Sequence, residues 1–583
     1  MPYREHLTTL RFASALYDSC IKEKYTLHRF KKDVLAGITV GVIAIPLSMA
    51  LAIASGVPPQ NGLYTAIFAG FIIALTGGSR FSVSGPTAAF VVILFPVSQQ
   101  FGLGGLLVAS LMAGFMLLGM ALARLGRLIE YIPEAVTLGF TAGIAVVIAT
   151  LQVKDFFGLQ LTEIPESYIG KVEALYNALP DTHWPSLLVA VLTFATLVFW
   201  PRLKIAVPGH LPALVLGALT ALALSSAGYD IETIGSRFTY SLSDGTTGFG
   251  IPAVFPDFIW PWAAPGPDGK PIVWSLQLVE ALFPAAFSIA MLGAIESLLC
   301  AVVLDGMTGK RHNANGELFG QSLGNLVAPF FGGITATAAI ARSATNYRAG
   351  AQSPIAAVIH AAFVLMGLIA LAPLLAYLPM ASLAALLIIV AWNMSEAHKL
   401  VALCRRAPMS DIATLAICFS LTVLFDMVIA ITVGIVIASL LFMRNISKMT
   451  KISDISDSKK HCPNGIPNHY VVYKINGPLF FAAADRVFSE LEYRDQHRKG
   501  VILYMDGVSI LDAGGLSSMI KYIEHCAENN IHLIIADLQS QPLKTVAKAH
   551  IDAVPDRFQF TDTLAEALEK ICDPNWQTSL THH

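Results

Sequence analysis

Stretches of about twenty mostly apolar residues recur along the chain, at 36–54, 103–123, 184–200, 277–304, 352–372 and 409–443. A spanning helix needs about twenty such residues, so each stretch predicts a membrane span and the last is long enough for two short ones. The polar connections between them are unevenly charged. Basic clusters lie in the N-terminal segment, at Arg124 with Arg127, Arg202 with Lys204, Lys310 with Arg311, Lys399 with Arg405 and Arg406, and Arg444 with Lys448 and Lys451. Basic residues gather on the cytoplasmic side, and all these clusters fit one side. The loop 226–275, rich in Gly, Pro and Trp, has only Arg237 and Lys270 against several acids and suits the opposite face. Both termini then lie in the cytoplasm, so the number of spans is even; fourteen are expected, two of them short.

Two interruptions break this pattern at corresponding places. Residues 77–90 read Gly-Gly-Ser-Arg-Phe-Ser-Val-Ser-Gly-Pro-Thr-Ala-Ala-Phe: a polar-apolar alternation runs into Gly85-Pro86. Proline is at home in a first helical turn, which places the start of a half-helix at Pro86. Residues 332–344 echo it, with Gly332-Gly333, an extended stretch from Ile334 to Ala339, and then Ile340-Ala341-Arg342-Ser343. Interrupted helices at matching positions in two halves point to a midplane binding site in a transporter. Each helix start offers unpaired backbone N–H groups and the positive end of a helix dipole, so two starts facing one another suit an anion.

Two charges lie inside these apolar segments. A charge at bilayer depth costs about 2.5 to 3.5 kcal/mol on insertion scales, so Glu296 and Arg342 mark an ion or substrate path. Arg342 carries a planar fork that fits carboxylate, bicarbonate or sulfate. Its bland alternative is a helix anchor that snorkels to the interface, which its small neighbours and its depth disfavour. Glu296, with Gly293 and Cys300 one turn away on either side, is either a structural bond between helices or a group that exchanges a proton for coupling. The hydroxyls of Ser84, Thr87 and Ser343 serve either the anion or the irregular backbone, whose polar groups must be satisfied in lipid. The candidate anion site is therefore Ser84, Gly85, Pro86, Thr87 and Ala88 with Ala341, Arg342 and Ser343, backbone amides foremost. Asp426 reads as a turn between the last two spans, and Asp305 as an interfacial cap.

Composition agrees with a membrane protein: 55% of residues are hydrophobic and 13% charged, about half the charged share of a soluble domain. A net charge of −2 gives no reason to expect a nucleic-acid partner. The seven cysteines form no CxxC pair and the histidines show no metal spacing, so no disulfide, metal or cofactor is expected. The polar N-terminal segment, with Lys22, Lys24, Arg29, Lys31 and Lys32, is unlike a cleavable signal, and the first apolar run is expected to stay in the mature protein.

Several segments together resemble one family, the sulfate permease (SulP) anion transporters. They are Ala44-Ile-Pro-Leu-Ser-Met-Ala-Leu-Ala, Pro59-Gln-Asn-Gly-Leu-Tyr64, Gly78-Ser-Arg-Phe-Ser-Val-Ser-Gly-Pro86, the helix bearing Glu296, and Ala338-Ala-Ile-Ala-Arg-Ser343. Within that family the likeness is to the proteobacterial aerobic C4-dicarboxylate carriers. The resemblance implies fourteen spans in a seven-plus-seven inverted repeat, a core moving against a gate in elevator fashion, and an anion between the starts of the third and tenth helices. Family members that use sodium tend to carry Asp and Thr where this chain has Glu296 and Cys300, which points towards protons here.

The tail changes character. After a polar linker, strand-like runs at 470–475, 501–505 and 531–535 alternate with amphipathic stretches at 483–494, 514–528 and 541–549, predicting a small α/β domain. It resembles a STAS domain, including Leu511-Asp-Ala-Gly-Gly515 at the loop that bears a phosphorylatable serine in the soluble anti-sigma antagonists. Ala513 stands at that position, so a structural or docking role is expected rather than a phosphoswitch. The expected organisation is a cytoplasmic segment at 1–34, a transport domain at 35–446, a linker at 447–467 and a STAS domain at 468–583.

The expected function is not enzymatic. It is proton-coupled uptake of a C4-dicarboxylate such as succinate or fumarate, by a homodimer in a bacterial inner membrane. Bicarbonate or sulfate, with sodium, is the alternative cargo. Nucleobase carriers share the plan but read their ligand with carboxylates, against an arginine at the second half-helix. A scaffold that anchors the tail to a soluble partner is the alternative of a different class.

Overall fold

The computed structural model describes residues 11–126, 133–161, 165, 167–203, 205, 208–241, 247–425, 427–495, 498–551 and 557–572. Arg127, Lys204 and Asp426, singled out above, lie outside them. The chain divides into two compact units, Met1–Ile435 and Val436–His583.

Fourteen helical segments in the described residues follow the expected spans. They are α1 (Leu27–Ala54), α2 (Pro59–Thr76), α3 and α4 (88–101 and 103–122), α5 (Glu134–Phe157), α6 (Trp184–Phe199), α7 (His210–Ser226), α8 (Leu276–Thr308), α9 (Ala314–Val327), α10 (Ile340–Arg348), α11 (Ile355–Leu375), α12 (Met380–Met394), α13 (Met409–Leu424) and α14 (Met427–Met449). Between α3 and α4 the backbone turns at Gly102, whose φ of 67° is left-handed and free of penalty only for glycine. Among the described residues, eight helices are long and apolar enough to cross a membrane by length and composition. By contrast α10, with 9 residues, is roughly 14 Å long, half the thickness of the hydrocarbon layer.

In each run of seven segments the third, α3 or α10, is a fragment preceded by a two-residue strand: β1 (Ser84–Gly85) before α3 and β2 (Thr337–Ala338) before α10. The two strands pair antiparallel, as an inverted repeat requires. Helices α1, α2, α3, α4, α8, α9 and α11 pack on one another, with α10 against α1 and α8; a second group joins α5, α6, α7, α12 and α13.

Helix α1 starts at Leu27, ahead of the apolar boundary expected near 35. Thr26, extended at φ −111° and ψ 158°, accepts from the N–H of Arg29 and caps the helix, so the basic residues form its first turns.

The second unit holds a five-stranded sheet in the order β3 (Lys451–Asp454), β4 (Tyr470–Asn476), β5 (Gly500–Gly507), β6 (His532–Ala536) and β7 (Phe558–Thr561). Strand β3 is antiparallel to β4 and the rest are parallel. The segment 447–467 is thus more than a linker, since it supplies an edge strand. Alternate residues of β4 go to opposite faces: Val471, Tyr473 and Ile475 pack with Phe488 and Tyr522, while Tyr470 and Val472 pack with Leu564 and Ile571. Those partners lie on α15 (Phe481–Arg494), α16 (Ala513–Glu528) and α18 (Leu564–Cys572); α17 (Ser540–Lys548) completes the helices. Asp512 caps α16 by accepting from the N–H of Gly515 at 2.7 Å, one residue before Ala513.

Candidate anion site

The two interruptions meet. Ser84 stands opposite Ala338 and Gly85 opposite Thr337, and the N–H of Ala339 donates to the carbonyl of Val83 at 3.2 Å. Four-residue neighbourhoods more than two hundred positions apart in the chain are thereby fixed side by side, and the helices that follow start from one place.

Neither start is capped by a side chain. Helix α3 begins at Ala88, not at Pro86: Thr87 is the capping position at φ −124° and ψ 155°, and its hydroxyl makes no capping bond. That hydroxyl donates instead to Oε2 of Glu296 at 3.0 Å, while the carbonyl of Pro86 accepts from Nη2 of Arg342 at 2.7 Å. Bonds to two distant helices hold Pro86 and Thr87 outside the helix, which starts two residues later. Helix α10 begins at Ile340 after Ala339, which has no side chain able to cap. First-turn N–H groups at both starts are left to other acceptors, and Ala88, Ala341 and Arg342 belong to those first turns, whereas the N–H of Ser343 already donates to the carbonyl of Ala339 at 2.9 Å.

Arg342 is 3% exposed, which excludes snorkelling. Among the described residues Nη2 is bonded, and Nε and Nη1 have no hydrogen-bond partner. Its guanidinium packs so tightly against β1 that a Cβ on Gly85 would stand 2.7 Å from Nη1, so any other residue at this strand position must displace the guanidinium. Glu296 reaches the site from α8 and interacts with Arg342 electrostatically without forming an ion pair within the described residues. Ser343 accepts from the N–H of Val83 at 2.9 Å. Every candidate residue from the two sequence segments, together with Glu296, is thus brought to one place.

The strands themselves are buried, but Ile340 is 37% exposed, Ala341 is exposed and Glu296 is half-buried. The start of α10 and Glu296 are therefore less enclosed than the strands. The arrangement offers backbone donors, one guanidinium and one carboxyl around one point. It contains no nucleophile and base in register for covalent chemistry, and its evident capacity is to hold an anion.

The sequence profile of the sulfate permease family matches residues 30–418, and that of the STAS domain residues 462–567. The chain belongs to the sulfate permease family. It is 40% identical over 525 residues to "Putative sulfate transporter YvdB" of Bacillus subtilis (strain 168), covering 90% of this chain and 94% of the relative. It is 28% identical over 499 residues to "Bicarbonate transporter BicA" of Picosynechococcus, covering 81% of this chain and 82% of that one. Among solved structures, the transmembrane domain of a cyanobacterial BicA superposes with a TM-score of 0.59 at 27% identity, over 71% of this chain and 99% of that one. The murine anion transporter Slc26a9 in its inward-facing state superposes with a TM-score of 0.78 at 18% identity, over 92% of this chain and 90% of that one, a likeness of fold. This member of the sulfate permease family is accordingly a multi-pass membrane transporter and not an enzyme.

The residues that support its site escaped sequence reasoning. On α9, Glu317, Gln321 and Asn325 are each 1% exposed and lie four residues apart, on one face. Glu317 accepts from the N–H groups of Gly78 and Ser79 at 3.0 and 2.9 Å. Gln321 donates to the hydroxyl of Ser84 at 3.1 Å. Asn325 both accepts from the N–H of Ala336 at 2.8 Å and donates to its carbonyl at 2.9 Å. One helix face thus holds both interrupted segments. Ser297 on α8 adds a bond of 2.5 Å to the hydroxyl of Thr337, Asn61 on α2 holds the carbonyl of Gly332, and Asn346 on α10 holds that of Phe81. A signal was available: three polar side chains with amide or carboxyl ends at i, i+4 and i+8 in a segment between two spans.

Proposed function

We propose that this protein is a secondary active transporter that couples uptake of a small carboxylate, such as succinate or fumarate, to protons. The single observation that supports anion binding most directly is Arg342: a guanidinium 3% exposed, with Nε and Nη1 uncommitted, beside two uncapped helix starts. Buried charges require partners, and a planar oxyanion offers this fork a matching pair of acceptors. Glu296, half-buried and bonded to Thr87 at the start of α3, is the proposed proton carrier. The substrate would enter at Ile340 and Ala341, and the group containing α1, α3, α8 and α10 would carry it past the group containing α5 and α12.

The C4-dicarboxylate assignment rests on the sequence resemblance. Bicarbonate is the second reading, favoured by the two-way coverage of the BicA relative; sulfate follows from the name of the 40% identical relative. The proposed setting is a bacterial inner membrane with both termini cytoplasmic, and the STAS domain is proposed to support a homodimer.

The test is uptake of labelled succinate, bicarbonate and sulfate into proteoliposomes under imposed proton or sodium gradients. Succinate accumulation driven by an inward proton gradient supports the reading. Accumulation of bicarbonate or sulfate alone, or dependence on sodium alone, replaces the cargo or the coupling ion respectively. A carrier also retains flux when residues 468–583 are deleted; a scaffold shows none in either form.

A further inference from the structure

The direction of each hydrogen bond around Ser84 is fixed by chemistry, beginning three groups away. The N–H groups of Gly78 and Ser79 can only donate, so Oε2 of Glu317 accepts from both, at 3.0 and 2.9 Å. The other carboxylate oxygen, Oε1, lies 3.3 Å from Nε2 of Gln321. An amide offers an oxygen or a nitrogen of nearly equal size, and the surrounding network decides which faces where. With Glu317 ionised, an amide oxygen turned to it would set acceptor against acceptor, so the NH2 end faces the carboxylate. The same nitrogen lies 3.1 Å from Oγ of Ser84. An amide nitrogen cannot accept; Ser84 Oγ therefore accepts this bond, which uses one of its two lone pairs and leaves its hydrogen to be donated elsewhere.

We propose that Gln321 is a positioning residue for the transported anion: its amide, itself oriented by Glu317, holds the Ser84 hydroxyl as a hydrogen-bond donor at the start of the first half-helix. This deepens the proposed function and rests on the placement of Ser84 in the anion site. A free hydroxyl rotates and serves a donor or an acceptor equally. A hydroxyl with one lone pair already occupied is biased towards donating, which favours a ligand that presents only acceptors, an ionised oxyanion, over the protonated acid or a neutral analogue bearing donors. Ser84 is 2% exposed and Gln321 and Glu317 each 1%, so water competes little for these bonds. The strand pairing with Ala338 holds Ser84 in place while the amide sets its polarity.

The experiment is a double-mutant cycle on the purified full-length protein. The four forms are the parent, Gln321→Met, Ser84→Ala and the double variant. The readout is the dissociation constant, by calorimetry, for whichever of succinate, sulfate and bicarbonate binds the parent most tightly. A hydrogen bond to a charged ligand is worth about tenfold or more in affinity. Each single variant is expected to weaken binding by about that factor, and the double variant to bind no more weakly than Ser84→Ala alone. Losses that multiply in the double variant, to about a hundredfold, overturn the proposal, because Gln321 would then act independently of Ser84. A Ser84→Ala protein that binds as the parent does overturns the placement of Ser84 in the site, whatever Gln321 does. If Gln321→Met does not fold, Gln321→Glu keeps the side-chain shape and presents an acceptor to Ser84 beside Glu317. It should weaken binding in the Ser84 background and leave the Ser84→Ala protein unaffected; equal loss in both backgrounds overturns the proposal.

Discussion

Replacing Arg342 separates its charge from its geometry. Nη2 is committed to the carbonyl of Pro86 at 2.7 Å, whereas Nε and Nη1 are free for a ligand. A hydrogen bond to a charged group contributes about 1.5 to 3 kcal/mol. Two such bonds from one fork to one oxyanion, not fully additive, give about 3 kcal/mol, or roughly a hundredfold in affinity. Arg342→Ala should therefore weaken anion binding by about two orders of magnitude. Arg342→Lys keeps a charge but not the planar pair of donors, and should recover only part of the loss, ending about tenfold below the parent. Stability is expected to move little, because losing the bond to Pro86 costs about 1 kcal/mol while removing a buried charge offsets some of it. The assay is calorimetric titration of each purified protein with the transported anion, alongside thermal unfolding without it. If Arg342→Ala binds within about threefold of the parent while folding normally, the guanidinium does not hold the anion.

Glu296→Gln keeps the bond to Thr87 available but cannot exchange a proton; uptake in proteoliposomes should lose its dependence on the proton gradient while counterflow of anion persists, and gradient-driven accumulation by this variant refutes the coupling role. Gly85→Ala places a methyl group 2.7 Å from Nη1 of Arg342; the guanidinium is the movable partner, so the protein should fold at a cost of about 1 to 3 kcal/mol and bind the anion about tenfold more weakly, and unchanged affinity contradicts the tight packing. Just ahead of α1, Glu23 bonds Arg80 at 2.7 Å and Lys310 and Arg29 each at 3.2 Å. Partial burial works to raise its carboxyl, but the bonds and charges of Arg80 and Lys310 outweigh this and hold it below the usual range. Its stabilisation is therefore present above the unfolded-state value and lost as pH falls through the lower folded-state one, so the parent's melting temperature should fall more than that of Glu23→Gln as pH drops from about 6 to about 3; parallel curves would show that these pairs contribute nothing.

What the sequence made legible follows from how membranes constrain a chain. Lipid leaves no backbone polar group unpaired, so a Gly-Gly and an extended alternation inside an apolar segment can only mean backbone that is satisfied elsewhere in the protein. That is why both interruptions, the charges at Glu296 and Arg342, and their convergence could be read before the coordinates. The start of α3 could not be. Pro86 reads as a first-turn proline by local preference, and only the bonds from Arg342 and Glu296, remote in the chain, keep Pro86 and Thr87 out of the helix. Glu317, Gln321 and Asn325 were invisible for a related reason: polar residues on one helix face read as facing water until the packing of α9 on α2 and on α3 and α4 turns that face inward. In the tail, β3 carries Lys451 and Asp454 at the sheet edge, where charge is tolerated and blunts pairing with other chains, so its composition matches a linker.

The charge arrangement also bears on why a proton should accompany the anion. Glu317 is occupied by two backbone N–H groups and the amide of Gln321, so its charge is committed to holding the segment before β1. That leaves Arg342 with Glu296 as its nearest uncommitted counter-charge at the site. An incoming anion meets both: it gains from the guanidinium and from the two helix starts, and loses from a charged Glu296. A proton on Glu296 removes the loss and leaves the gain. By linkage, whatever factor the proton adds to anion affinity, the anion adds to proton affinity. With both bound, Arg342 balances a monoanionic substrate, which for a C4-dicarboxylate means one that carries a second proton of its own; with neither bound, Arg342 and Glu296 balance each other. The two states that must cross the membrane barrier, fully loaded and empty, are then the two in which the buried site is closest to neutral. The half-loaded states carry an unbalanced charge through a medium of low permittivity and are disfavoured. On this reasoning the coupling needs no separate gate, because the cost of moving an unbalanced site between faces supplies it. A binding measurement decides the matter: anion affinity should rise as pH falls in the parent and be level with pH in Glu296→Gln. A parent whose anion affinity is level over that range would break the link between the two ligands.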